Sequence, residues 1–159
     1  MLVEGFRTVR LEAFPLAPPD AEPLRRLTDT PSITGRIDFL ASPFTAADAA
    51  ALIARNGEHE TFLGLHNGFT LVGVVGAHRE ARGIEVGYWI GEDARGKGYA
   101  SEALRGLVAW LRIRCGGEAI LAECAPENAE SRSVLRAAGF VDTGETGRRS
   151  GRSVFRQPG

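Results

Sequence analysis

Gly91-Glu92-Asp93-Ala94-Arg95-Gly96-Lys97-Gly98-Tyr99-Ala100 lies between a run that reads as a strand, Ile84 to Ile90, and a stretch with the spacing of an amphipathic helix. In that stretch Ala100, Ala103, Leu104, Leu107 and Leu111 recur on one helical face. The pattern predicts a strand entering the loop and a helix leaving it, ended at Gly116-Gly117. Backbone amides then converge at a helix N-terminus, where unpaired N–H groups and the helix dipole favour an anion such as a phosphate. Small residues at 96, 98 and 100 let that ligand come close to the main chain.

Upstream, Thr8 to Phe14 alternates Val9, Leu11 and Ala13 against polar neighbours and reads as a first strand. Pro18-Pro19-Asp20 opens a short helix carrying Leu24 and Leu27, and Pro31 to Pro43 reads as a loop with a helical turn. Thr45 and Asp48 have capping-box spacing before a second helix through Ala49, Leu52 and Ile53. Strands Thr61 to His66 and Phe69 to His78 are joined by Asn67-Gly68, a dipeptide that tolerates the positive φ of a tight turn. Downstream come a strand at Ala119 to Cys124, a helix at Ala129 to Ala138 capped by Gly139, and a strand from Phe140. A Ser150-Gly151 turn leads to a last strand, Arg152 to Arg156. Without repeats or linkers, this order predicts a single mixed α/β domain over residues 1–159, built around one sheet.

Two known phosphate loops nearly fit the glycine segment. Gly91-x-x-x-x-Gly96-Lys97 follows a P-loop until Gly98, which replaces the Ser or Thr that would bind Mg²⁺. Gly96-x-Gly98 begins a dinucleotide fingerprint, but Ser101 holds its third glycine position and the loop comes late in the chain. A plain glycine-rich connector with solvated Arg95 and Lys97 is the remaining simple reading.

A better match is the Gln/Arg-x-x-Gly-x-Gly/Ala motif, which Arg95-Gly96-Lys97-Gly98-Tyr99-Ala100 resembles. This is the signature of the GNAT superfamily of N-acetyltransferases. Glu85-Val86-Gly87-Tyr88-Trp89-Ile90 resembles the preceding strand of the branch containing the ribosomal-protein N-terminal acetyltransferases. Asn128-x-x-Ser131 and Ala138-Gly139-Phe140 resemble its following helix and strand, so the likeness spans residues 85 to 140. It implies a GNAT fold, a mostly antiparallel mixed sheet splayed at the cofactor site with helices on both faces. It further implies acetyl-CoA as co-substrate, with no metal. The main chain of Trp89 and Ile90 would pair with pantetheine, and Arg95, Gly96, Lys97, Gly98, Tyr99 and Ala100 would hold the pyrophosphate. Asn128 would bond the pantetheine, and Ser131 would lie near the thioester sulfur.

Acetyl transfer to an amine requires a neutral nucleophile, support for the oxyanion and a proton for the leaving thiolate. Glu85 is the candidate base, directly or through water, or else an ordinary surface carboxylate; Glu123 in the next strand is a rival. Ser131 is the candidate on the thiol side, or else a helix-surface serine. Many GNAT members carry a tyrosine acid on that helix, but Val134 and Leu135 stand there, and the only tyrosines are Tyr88 and Tyr99. Trp89 suits packing or an acceptor-pocket wall. His59, His66 and His78 show no ligand-gathering spacing, and Cys124 has no His/Asp set for an acyl-cysteine. Arg148, Arg149, Arg152 and Arg156 form a basic hairpin, read as a solvated face or as a contact for an acidic substrate or RNA. Phe14 stands where that branch often has Arg, and the C-terminal end is short; both regions shape the acceptor side in relatives.

Composition bounds these readings. The chain has 159 residues, 43% hydrophobic and 25% charged, ordinary for a globular protein. A net charge of −1 argues against a nucleic-acid partner. Cys115 and Cys124 give no disulfide framework, Met1 to Arg7 lacks a signal peptide's apolar run, and no stretch suits a membrane. We therefore expect a cytoplasmic enzyme transferring acetyl from acetyl-CoA to a primary amine in a ternary complex. The acceptor is a protein N-terminus or a small-molecule amine, and a homodimer stays open. The alternative is a non-catalytic acyl-CoA-binding or sensing module.

Overall fold

The computed structural model describes residues 1–149 and 151–159. Strands β1 (Phe6–Arg7) and β2 (Glu12–Pro15) are followed by helices α1 (Ala21–Thr28), α2 (Pro31–Thr34) and α3 (Ala46–Ala54). Strands β3 (Glu60–Asn67), β4 (Thr70–Glu80) and β5 (Gly83–Ile90) lead to helix α4 (Tyr99–Arg114). The chain closes with β6 (Ile120–Cys124), α5 (Ala129–Ala137), β7 (Val141–Thr146) and β8 (Ser153–Arg156). These strands form one open sheet in the order β1-β2-β3-β4-β5-β6-β8-β7. Every pairing is antiparallel except that of β5 with β6, so the mixed, mostly antiparallel sheet follows the expectation.

Alternation along the strands sends side chains to two cores. Ile84, Val86 and Ile90 of β5 pack with Ala103, Leu104, Leu107 and Leu111 of α4 on one face. Val74 of β4 and Trp89 of β5 pack with Leu24 of α1 and Leu52 of α3 on the other. Helices therefore cover both faces. The Thr45–Asp48 capping box is present: Asp48 N donates to Thr45 Oγ1 at 3.2 Å and Thr45 N to Asp48 Oδ2 at 2.8 Å. Among the described residues no helix is long and apolar enough to cross a membrane.

Local chemistry overrides two expectations from the sequence. The run Thr8 to Phe14 is strand only from Glu12, in β2; Thr8 to Leu11 form a tight turn between β1 and β2, closed by Thr8 N donating to Leu11 O at 2.8 Å. Glu102 of α4 fixes that turn by accepting from Thr8 Oγ1 and from Arg10 N. The hairpin of β3 and β4 turns at Gly68-Phe69, since Asn67 still pairs with Thr70 and only Gly68 takes a positive φ, of 62°. Asn67 is held elsewhere, its Nδ2 donating to Tyr99 Oη at 2.6 Å. The expected turn at Ser150 lies outside the described residues.

The pairing of β5 with β6 is the sheet's one parallel pairing among the described residues. It covers only Ile84–Ile120 and Glu85–Leu121, and beyond Glu85 the two strands part. Gly83 enables the junction: its φ is +138°, and an added Cβ would meet Ala119 O at 2.3 Å. Ala119 O accepts from Ile84 N at 2.7 Å, so it has no room to move away. Gly83→Ala is therefore expected to lower the unfolding free energy by about 2 kcal/mol or more, combining backbone strain with a disrupted strand pair. Denaturant unfolding of the two proteins tests this; equal midpoints would refute it.

Candidate active site

Where β5 and β6 part, the outer edge of β5 loses its partner. Gly91 N donates to Val72 O, so the odd residues of β5 turn their main chain toward β4. Ile84 N points the other way, to Ala119 O. By alternation Val86, Tyr88 and Ile90 direct their N–H and C=O groups to that side, where the Glu85–Leu121 bridge still takes the Val86 N–H and the gap begins beyond it. This corrects the expected role of Trp89, whose main chain pairs with Val74 of β4. Its indole is equally engaged, with Nε1 donating to Thr28 Oγ1 at 3.1 Å among the rings of Phe39 and Phe62. Tyr88 takes its place on the open edge.

At the far end of that edge the glycine loop turns into α4. Gly96 and Gly98 take φ of 74° and 79°, and Gly98 is the N-cap of α4. The first amide of the helix to bond within it is Glu102 N, to Gly98 O at 3.2 Å, which leaves the N–H groups of Tyr99, Ala100 and Ser101 without intrahelical partners. Gly96 has nothing within 4 Å of an added Cβ, and Gly98 only the Arg10 guanidinium at 3.4 Å, so a ligand meets bare backbone. The loop side chains behave less uniformly. Lys97 is exposed, whereas Arg95 donates through Nε to Ile90 O and through Nη2 to Ser32 Oγ, tying the loop to α2. The Tyr99 side chain is buried under Arg10, whose guanidinium lies 4.6 Å from the ring centre. Arg10 is a cation that the sequence did not point to, because only the β1–β2 turn brings it beside Gly98.

A cavity of about 610 Å³ runs from this loop along β5 and through the opening to the opposite face. On the α5 side it meets Asn128 and Ser131. Asn128 caps α5, its Oδ1 accepting from Ser131 N at 3.1 Å, so only its Nδ2 is free for a ligand. Tyr88 Oη donates to Ser131 Oγ at 3.4 Å. On the opposite face the cavity meets Asp38, Phe39, His78, Glu85 and Arg149.

Glu85 is nearly buried, 11% exposed, and its Oε1 accepts from Arg149 Nη1 at 2.7 Å. Among the described residues its Oε2 is buried without a hydrogen-bond partner, and the guanidinium groups of Arg82 at 3.6 Å and Arg148 at 3.8 Å face it. His78 stands opposite Glu85 on β4, with Nδ1 also lacking a hydrogen-bond partner and 3.5 Å from Glu60 Oε1. No periodicity marks His78; the register places it.

Glu123 plays a different part. Its carboxylate is wholly buried and accepts from Arg82 Nη2 at 2.9 Å, Arg148 N at 2.8 Å and Arg149 N at 3.1 Å. Burial by itself would raise its pKa, but the amides of Arg149 and Arg148 and the Arg82 guanidinium outweigh it and hold the carboxyl below the usual range. With every oxygen committed, Glu123 anchors the β7–β8 loop and is not a free base. Arg149, positioned by that anchor, reaches Glu85 and, at 3.6 Å, Asp38 on the far wall. The basic hairpin is thus partly an internal counter-ion, and not only a solvated face. Among the described residues no group of His, Cys, Asp and Glu could hold a metal ion.

Residues 10–141 match the family described as Acetyltransferase (GNAT) domain. A search of curated proteins gives no match. Many solved structures share the fold, among them three at low identity. The acetyltransferase (GNAT family) from Bacillus anthracis is 22% identical with a TM-score of 0.81, over 96% of this chain and 95% of that one. The microcin C7 self-immunity acetyltransferase MccE, in complex with acetyl-CoA and AMP, is 18% identical with a TM-score of 0.81, over 94% and 92%. RimL, a ribosomal L7/L12 alpha-N-protein acetyltransferase in complex with coenzyme A, is 16% identical with a TM-score of 0.83, over 94% of each chain.

The Glu123 anchor sets an acid dependence. Because its folded pKa is depressed, its stabilisation is complete above the unfolded carboxylate value of about 4.3 and is lost as pH falls through the lower folded value. Glu123→Gln is expected to lose about 3 kcal/mol at pH 7, as for a broken buried ion network. Urea unfolding should show the gap to wild type narrowing below about pH 4; a gap that stays constant would mean the carboxylate charge is not what holds the loop.

Proposed function

The chain belongs to the GNAT acetyltransferase domain family, and from that we propose that it transfers acetyl from acetyl-CoA to a primary amine by direct attack in a ternary complex. The observation that carries this reading is a single continuous cavity. It joins the bare amides at the α4 N-terminus, the unpaired edge of β5 and the Glu85 carboxylate. Acetyl-CoA, when bound, supplies an activated acyl group on a good thiol leaving group. The residues present fit it: amides at 99–101 suit a pyrophosphate, and the N–H and C=O of Tyr88 with the N–H of Ile90 suit pantetheine amides.

The protein's own groups divide the work across the sheet. Glu85 projects to the acceptor face, where Oε2 takes a proton from the incoming amine, directly or through water. Arg149 holds the carboxylate in place through Oε1 without occupying that second oxygen. Ser131 faces the opposite side and hydrogen-bonds the sulfur, with Asn128 Nδ2 left for a pantetheine carbonyl. Phe39, Phe62 and Trp89 line the acceptor side and keep water from the amine. Chemistry favours an amine that is easily neutralised. At pH 7, deprotonation costs about 1 kcal/mol for an α-amino group and about 4.6 kcal/mol for a lysine side chain. A protein N-terminus or a small molecule with a similarly low amine pKa is therefore the preferred acceptor.

Thiol release from acetyl-CoA across a panel of α-amino peptides and small amines tests the reading, and cofactor binding without any release would instead mark an acyl-CoA-binding module. Two variants probe the parts. Gly98→Val, at a positive φ beside the amides, is expected to weaken acetyl-CoA binding at least about tenfold by calorimetry; unchanged affinity in folded protein would remove the loop from the site. Glu85→Gln is expected to keep that affinity while slowing turnover about a hundredfold, and to change the pH–rate limb. Matching profiles and rates would take Glu85 out of the reaction.

A further inference from the structure

The contact between Tyr88 and Ser131 joins β5 to α5 inside the cavity, where Ser131 is proposed to meet the sulfur. We infer that Tyr88 is a positioning residue for the leaving group: its phenol fixes the Ser131 hydroxyl so that the serine proton points at the thioester sulfur. This inference rests on the acetyltransferase reading and on the place of Ser131 in it.

Proton counting on Ser131 carries the case. A serine hydroxyl has one proton and two lone pairs. Tyr88 Oη donates to Ser131 Oγ, filling one lone pair. The neighbouring acceptor, Asn128 Oδ1, already takes the Ser131 backbone N–H. Among the described residues Ser131 Oγ has no further partner, which leaves its proton for the cavity that Ser131 lines. Ser133 also lines that cavity but has no such contact with Tyr88.

The geometry has Tyr88 as the donor in its bond to Ser131, and the surroundings of the phenol agree with that direction. Burial is the main influence and pushes the Tyr88 hydroxyl above its ordinary value. Its bond to Ser131 and the Arg36 charge act the other way, whereas Glu130 of α5 and Cys124 of β6 push it further up. Tyr88 is therefore protonated at neutral pH and acts as a standing donor. Burial also makes it a poorer acid than in water, so it holds a hydrogen bond and does not surrender its proton. In the transfer the N–C bond forms and the C–S bond breaks. Glu85 passes the amine proton to solvent, and the thiolate, held by the Ser131 O–H, takes one from solvent as it leaves.

The position of Tyr88 is not incidental. The residue three before it on β5, Glu85, faces the acceptor side, whereas Tyr88 faces α5, so the strand brings opposite roles to opposite faces of one opening. Helix α5 supplies only Ser131 and Ser133 as hydroxyl groups and needs the strand for an aromatic one.

Tyr88→Phe keeps the ring and removes the donor. Calorimetry should find coenzyme A affinity within about threefold of wild type, since one uncharged hydrogen bond is lost. Deprotonation of the bound thiol, followed by thiolate absorbance, should move up by about one pH unit, a tenfold loss of thiolate stabilisation. Turnover should fall by about the same factor with KM unchanged. Ser131→Ala should give the same titration shift, and the double variant no more than that single one, because Tyr88 acts through Ser131. Ser133→Ala should leave all three readings at wild-type values. An unshifted thiol titration in Tyr88→Phe, or losses that add in the double variant, would overturn the role of Tyr88 alone. Failure of the wild-type protein to bind coenzyme A would bring down the acetyltransferase reading itself.

Discussion

Parting of two parallel strands organises this protein. A sheet normally satisfies every main-chain N–H and C=O by pairing, and an internal strand edge left open is costly unless something else bonds to it. Here β5 and β6 pair at Ile84 and Glu85 and then separate. The main-chain carbonyl of Val86, both groups of Tyr88 and the N–H of Ile90 are thereby kept available at the centre of the fold. The same separation opens a passage between the two faces of the sheet. Without it the α4 N-terminus and Glu85 would lie in separate environments.

Two features hold the gap without filling it. At its closed end Gly83 allows the main chain of β5 to approach Ala119 so closely that no side chain fits. At its open end Arg95 binds Ile90 O and Ser32, which fixes the loop against α2 while its main chain stays bare. The anion site proposed at this loop would depend more on geometry than on side-chain charge. Lys97 is exposed and screened by salt, whereas the amides at 99–101 are held by the helix itself.

Charge on the face of the sheet that carries Glu85 is arranged in two tiers. Glu123 is saturated by Arg82 and by two backbone amides, and its task is to pin the β7–β8 loop. That pinned loop presents Arg149 to Glu85, which keeps one oxygen unsatisfied at the cavity. Two glutamates on adjacent strands thus receive different roles from their surroundings. A carboxylate with all its lone pairs engaged is a structural anion, and the one whose second oxygen makes no hydrogen bond is the one that the proposed proton transfer would use.

Local patterns in the sequence were enough for most of the elements and for the backbone of the glycine loop. Helical spacing from Ala100 to Leu111, the Thr45–Asp48 box and the glycines at 96 and 98 are short-range signals, and each fixes its own stretch of backbone. They also carried the family resemblance. Where the sequence misled, a distant partner decided: Glu102 folds Thr8 to Leu11 into a turn, and Asn67 is drawn from the hairpin tip to Tyr99. The direction of a main-chain group depends on which neighbour a strand pairs with, so the exchange of Trp89 for Tyr88 could not be read along the chain. The same holds for Arg10 beside Gly98, His78 opposite Glu85, Arg149 on Glu85 and Tyr88 on Ser131. Those contacts join residues between 7 and 88 positions apart. Periodicity reports which face a residue occupies, but only sheet register and helix packing determine what it meets there.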